Sequence, residues 1–431
     1  MNKQRILKLF IYFLFILISL ISLKKFNQYL SQNDFAKLGL IIILFTNFLA
    51  GSLIKSFTKY SLIFFVYFVL ILYSVNSLIV YVDYNNLPQK KIENKLKQDN
   101  KTYDKRNLIE VVKEERLKGN NIYPYVVPRE FLKFKRKKIP LTPISNTNYV
   151  SCNEFGFWKK ITTDKLGFNN KIFMDSFDIL LMGDSFAEGS CVDQINEPAN
   201  LFKENHNLTA YNIGVSGNGP LLSLALAHEI KEIVDFKYIV WFIFDNDFYD
   251  ITLEIKSDYL KEYLKKDFIK NNYFSNIEIQ NNIQKKYIEN NLESFKTGFS
   301  LNESLLELKP LVHRINKLIN KKESEDLVKY NKKDFKKIFD KISNLYQDKK
   351  IFIVYLPETT CFNNRSKKCK IRFDELKNLS NEITFLNFYE FINKNIDDYK
   401  KMYALGQDRA HFSNLGYKYL VEFVNNSIEN D

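Results

Sequence analysis

The stretch DILLMGDSFAEG, Asp178 to Gly189, sets an unbroken apolar run directly against a Gly-Asp-Ser turn. A short apolar run closed by turn residues is the pattern of a strand buried on both faces. Working outward, similar short β-type runs follow at Thr209 to Ile213, Tyr238 to Phe244, Ile351 to Tyr355 and Ile383 to Leu386. Helical patterns separate them. Strands joined through helices imply crossover units, and therefore a parallel sheet covered on both faces. In such sheets ligands sit beyond the carboxyl ends of the strands. The candidate functional residues all follow strand ends.

Ser185 comes two residues after the first strand's Gly183, where a helix should start. A serine hydroxyl is a poor nucleophile at its ordinary pKa and needs a neighbouring base. Asp408 and His411 stand three apart in DRAHFSNLGY, just before a helix whose N-cap would be Ser413. On one helical turn the carboxylate can hold the imidazole while its other nitrogen faces the serine. A metal pair is the rival reading, but no two further ligands are evident, and His206, His228 and His313 lack such a partner. Gly217, in NIGVSGNGP, can bring a backbone N–H close to a developing oxyanion, and Asn246, in FDNDFYD, can offer its amide. With the Ser185 N–H these make three donors from three strand ends.

Gly183-Asp184-Ser185, Asn212 to Gly217, Asn246-Asp247 and Asp408-x-x-His411, in this order, resemble the four blocks of the SGNH (GDSL-type) hydrolase superfamily. The resemblance implies a flavodoxin-like three-layer α/β/α sandwich with a five-stranded parallel sheet, and a serine-esterase mechanism. Carried over, Ser185 is nucleophile and oxyanion donor, Gly217 and Asn246 are further oxyanion donors, His411 is the base and Asp408 orients it. SNTNYVSCNEFGFW, with DKLGFNN after it, looks like a lead-in found before this domain in membrane-anchored bacterial members. One departure stands out. Asp245 occupies a position that is commonly glycine, and its charge would oppose an oxyanion if it pointed inward. The Gly-x-Ser-x-Gly elbow is absent, since position 187 is alanine.

Three apolar segments open the chain, Leu9 to Leu23, Leu38 to Ile54 and Ser61 to Val82. They read as about three transmembrane helices, making residues 1–84 a membrane anchor. The basic cluster before the first span points inward, which would place everything after Val82 outside the cytoplasm of a bacterial inner membrane. Residues 1–150 hold 24 of 63 Lys+Arg and 9 of 50 Asp+Glu, so the basic excess belongs to the N-terminal third. That distribution removes the main support for nucleic-acid binding. Residues 85–145 read as a basic linker, and 146–431 as the catalytic domain with a helical insertion at about 250–348. Four cysteines permit two disulfides, Cys152 with Cys191 near the site and Cys361 with Cys369 across a short loop, although the connectivity stays open.

The chemistry expected is hydrolysis of O-acyl esters, O-acetyl above all, without metal or organic cofactor. Two alternatives remain: an O-acetyltransferase for envelope polysaccharide fed by a membrane acyl-donor protein, and a non-catalytic glycan-binding module on the same fold.

Overall fold

The computed structural model describes residues 69, 72–84, 87–134, 138–265, 268, 272–295, 308–319, 332–362, 366–408 and 410–430. The first two expected membrane spans lie outside the described residues, as does most of the first half of the third. Within the third, 72–82 is helical and presents Val75, Leu78, Tyr81 and Val82 exposed. Among the described residues no helix is long and apolar enough to cross a membrane.

Helices α1 (Pro88–Gln98) and α2 (Leu108–Leu117) lead into a three-stranded sheet. In it β1 (Ile122–Pro124) runs parallel to β2 (Asn148–Val150), which pairs antiparallel with β3 (Lys160–Thr162). The main sheet follows, with β4 (Ile179–Met182), β5 (Ala210–Asn212), β6 (Tyr238–Phe244), β7 (Lys350–Leu356) and β8 (Thr384–Asn387). All its pairings are parallel, and the order is β5-β4-β6-β7-β8. Each strand lies within a residue or two of its sequence expectation.

Helices α3 (Ser185–Glu188), α4 (Pro198–His206), α5 (Pro220–Ile230) and α6 (Asp247–Glu254) connect the first strands. Then come α7 (Asp258–Lys261), α8 (Ile277–Asn290), α9 (Lys309–Ile319) and α10 (Lys332–Leu345). The chain ends with α11 (Ser366–Lys377), α12 (Phe388–Asn395) and α13 (Asn414–Glu429). Alternate residues of the strands feed two cores, because side chains of a strand point to opposite faces. Leu180, Met182, Ile239, Trp241 and Ile353 pack with α5 and α10 on one side. Ile179, Leu181, Val240, Phe242 and Val354 pack with α4, α12 and α13 on the other. Full burial of each such side chain contributes about 2 kcal/mol.

The chain divides into two units. One comprises 1–91 and 298–327, and within it α9 meets the 72–84 helix through Leu311 N–H to Asn76 Oδ1 (3.3 Å) and an Arg314–Asp83 ion pair. The other comprises 92–297 and 328–431 and holds both sheets.

Two boundaries need correction. In the stretch expected as a basic linker, the described residues 87–134 and 138–145 carry α1, α2 and β1, and Phe131, Ile139, Leu141 and Ile144 are buried in the main core. The apolar residues spaced among the lysines supply the driving force that a tether would lack. The insertion also ends earlier than expected, because α10 is itself the crossover helix, burying Phe335, Ile338, Phe339 and Ile342 against the sheet. Helix α8 braces the lead-in: Gln284 Nε2 donates to Thr142 O and Asn281 Nδ2 to Ser145 Oγ.

Candidate active site

Ser185 begins α3 immediately beyond β4, with Asp184 as N-cap accepting from Phe186 N–H at 2.9 Å. Gly183 makes the turn possible. Its φ is +139°, and a Cβ there would lie 2.7 Å from Phe242 O. A side chain would push the Gly183–Ser185 turn away from β6. Asn212, at the end of β5, donates to Ala187 O at 2.7 Å and accepts from Gly214 N–H at 2.8 Å, so one buried amide ties the second strand end to the serine helix.

His411 lies on the segment before α13, whose N-cap is Ser413 as expected, with Ser413 Oγ accepting from Gly416 N–H. The imidazole packs on Phe186, with ring centroids 5.2 Å apart, next to Ser185. Among the described residues no hydrogen bond joins Ser185 Oγ to His411; such contacts are often long before substrate arrives.

The acid at His411 is not the expected one. Glu154 Oε1 lies 2.9 Å from His411 Nδ1, and Glu154 Oε2 accepts the His411 backbone N–H at 2.8 Å. Asp408 is exposed and makes no such contact. Asp408, Ala410 and His411 are not helical, and the three-residue spacing does not bring carboxylate and ring together. Because a carboxylate only accepts, Nδ1 carries the proton and Nε2 of the neutral ring is left with its lone pair. Burial disfavours protonation of His411, but the charge and hydrogen bond of Glu154 outweigh it and raise its pKa above the usual histidine value. For Glu154, burial acts upward, and the His411 charge and hydrogen bonds overcome it to lower the pKa.

Glu154 sits two residues beyond Cys152, which is disulfide-bonded to Cys191 with Cα atoms 5.5 Å apart. Cys191 Sγ is 3.5 Å from His411 Nδ1. The disulfide therefore pins the Glu154 segment to the loop after α3, against the imidazole. Cys361 and Cys369 form the second bridge. Replacing both Cys152 and Cys191 by serine is expected to remove about 4 kcal/mol of stability, from loop entropy alone. It should also depress turnover with little change in KM. Denaturant unfolding and steady-state kinetics check this, and unchanged turnover would show that Glu154 needs no tether.

The three expected oxyanion donors fall at adjacent strand ends. The N–H groups of Ser185 and Gly217 have no hydrogen-bond partner among the described residues. Gly217 has φ +76°, which turns its amide while sparing a side chain. The Asn246 side chain donates to Asp250 Oδ2 at 3.0 Å, which fixes the amide plane. Asp245 is held elsewhere: its carboxylate pairs with Arg372 and accepts Tyr355 O–H at 2.9 Å. Its charge is compensated.

A buried acidic cluster, Asp184, Asp247, Asp250 and Glu254, lies beneath this edge. Burial pushes Glu254 up to about 8, although it accepts the Gly219, Leu221 and Leu222 N–H groups at the start of α5. Burial likewise raises Asp250 to about 6, against the opposing Arg129 charge, and raises Asp184 and Asp247. Glu254 is thus largely neutral near pH 7, which lessens the negative field beneath this edge.

No family model matches the chain, and no curated protein sequence matches it. Among solved structures, it is similar to a Streptococcus pneumonia protein provisionally described as a platelet activating factor, at 14% identity and a TM-score of 0.27. The match covers 58% of this chain and 84% of that one. So slight a likeness carries no argument about activity.

Glu154 could not have been picked out from spacing, since it lies 257 residues from His411. Its one signal was its place in the lead-in motif. The DKLGFNN segment is a supporting element for the same edge. Asp164 accepts from Leu166 N–H, Phe168 N–H and Asn170 Nδ2, Asn170 Nδ2 also donates to Asn212 O, and Asn169 Nδ2 donates to Glu188 O.

Proposed function

We propose that this protein is a serine esterase of the SGNH type, on a flavodoxin-like sandwich, acting on O-acyl esters such as O-acetyl groups. The observation that carries this reading is the Glu154–His411 pair packed on Phe186, the residue after Ser185, with N–H groups of Ser185 and Gly217 that have no partner among the described residues. Ser185 Oγ attacks the ester carbonyl while His411 Nε2 takes its proton. The C–O bond to the alcohol then breaks, the alcohol leaves with that proton, and the acyl group stays on Ser185. Water, deprotonated by His411, releases the acid and restores the serine. Ser185 N–H, Gly217 N–H and the Asn246 amide meet the oxyanion in both steps.

The setting proposed is a domain displayed outside the cytoplasm from an N-terminal membrane anchor. The three apolar segments and the two disulfides support it, because disulfides persist in oxidising compartments. The test is reaction of the full-length chain with a serine-directed fluorophosphonate, read by peptide mass spectrometry. Labelling of Ser185 in the wild type and its loss in His411→Ala is the expected result; no labelling of folded wild-type protein refutes the esterase.

A further inference from the structure

We propose that the arm formed by Tyr125, Val127 and Arg129 is a positioning clamp for the oxyanion hole, with Arg129 acting on Asn246 through Asp250. The inference rests on the esterase reading and goes beyond it, since it gives the N-terminal lead-in a part in catalysis.

The arm is anchored to the small sheet by Tyr125 N–H to Val150 O at 3.0 Å. From there three alternate residues each reach one donor-bearing element. Tyr125 O–H donates to the Glu188 carboxylate, at the far end of the helix that starts with Ser185. The same carboxylate accepts Ser190 Oγ at 3.0 Å and Ser216 Oγ, so it also ties down the residue before Gly217. Val127 covers Gly217 so closely that a Cβ there would lie 2.9 Å from Val127 Cβ. Arg129 pairs with Asp250, whose other oxygen accepts the Asn246 amide at 3.0 Å.

The third link has the plainest consequence. The Asp250 side chain is 2% exposed, and Arg129 is its ion-pair partner in the structure. Without the guanidinium, a buried carboxylate loses its compensation and takes up a proton. The Asn246 amide is then held by a neutral carboxyl oxygen in place of a charged one, a weaker hydrogen bond that leaves the amide less firmly oriented. A misaimed donor lowers turnover without touching ground-state binding.

The test is a double-mutant cycle on the full-length chain, using hydrolysis of p-nitrophenyl acetate. Arg129→Ala should lower kcat by about tenfold or more while KM stays within about twofold, and Arg129→Lys should recover part of the loss. In an Asn246→Ala background the Arg129→Ala change should cost less than about threefold, because the residue it acts through is gone. Should Arg129→Ala fail to fold, as judged by circular dichroism, Asp250→Asn replaces it in the same cycle. A kcat within about twofold of wild type, or an equal loss in both backgrounds, overturns the clamp alone. A wild type that neither hydrolyses the ester nor labels at Ser185 removes the esterase reading and the clamp with it.

Discussion

Replacing Glu154 by glutamine is expected to lower kcat/KM by about 10²- to 10⁴-fold, whereas Asp408→Asn should stay within about threefold of wild type. The glutamine keeps the shape and the backbone contact to His411. Its amide, however, can donate to Nδ1, which turns the imidazole to the tautomer with the proton on Nε2, where the base is needed. The pH profile supplies an independent check. Glu154 holds the His411 pKa above the ordinary histidine value in spite of burial. On the proposed mechanism His411 acts only when neutral, so the acid limb of kcat/KM should lie above the ordinary value in the wild type and move to lower pH in Glu154→Gln. Linkage gives the matching sign for stability. His411, raised, contributes fully below its ordinary 6.5 and loses that contribution as pH climbs through its folded value. Glu154, lowered, contributes fully above its ordinary 4.5 and loses it as pH falls through its folded value. The pair thus stabilises most between 4.5 and 6.5. A crippled Asp408→Asn beside an active Glu154→Gln would return the orienting role to Asp408.

Ser185→Ala should abolish measurable ester turnover, a loss of at least about 10³-fold, with the unfolding midpoint unchanged. The hydroxyl makes no hydrogen bond among the described residues, so removing it leaves no buried group unpaired. Water attack assisted by the remaining donors would account for any residue of activity. Steady-state hydrolysis and a thermal melt of the same preparation settle the point. Full activity in Ser185→Ala would rule out the covalent mechanism. A wild type without activity, but with glycan affinity that survives the substitution, would favour a binding module.

The five strands were legible because each is a short apolar run with turn residues at its end, and that local pattern needs no tertiary information. The turn at Gly183 and the N-cap at Ser413 were legible for the same reason, since both act within a few residues. The packing of the stretch read as a basic linker, 85–145, was not legible. Its lysines dominate the composition, while Phe131, Ile139, Leu141 and Ile144 are spaced without a helical or strand period that would announce a core contribution. The surroundings of Asp245 were not legible, because Arg372, which pairs with it, and Tyr355, which donates a hydrogen bond to it, are remote in sequence.

Sequence by itself determined the parallel sheet, the place of Ser185 beyond β4 and the presence of His411 before the last helix. Only tertiary structure decided which carboxylate meets that histidine. Hydrogen bonding depends on distances of about 3 Å in space, and chain spacing reports such distances only within a regular element. Asp408, three residues from His411, stands outside any helix or strand and faces solvent, whereas Glu154, 257 residues away, is delivered to the ring by β2 and the Cys152–Cys191 bridge.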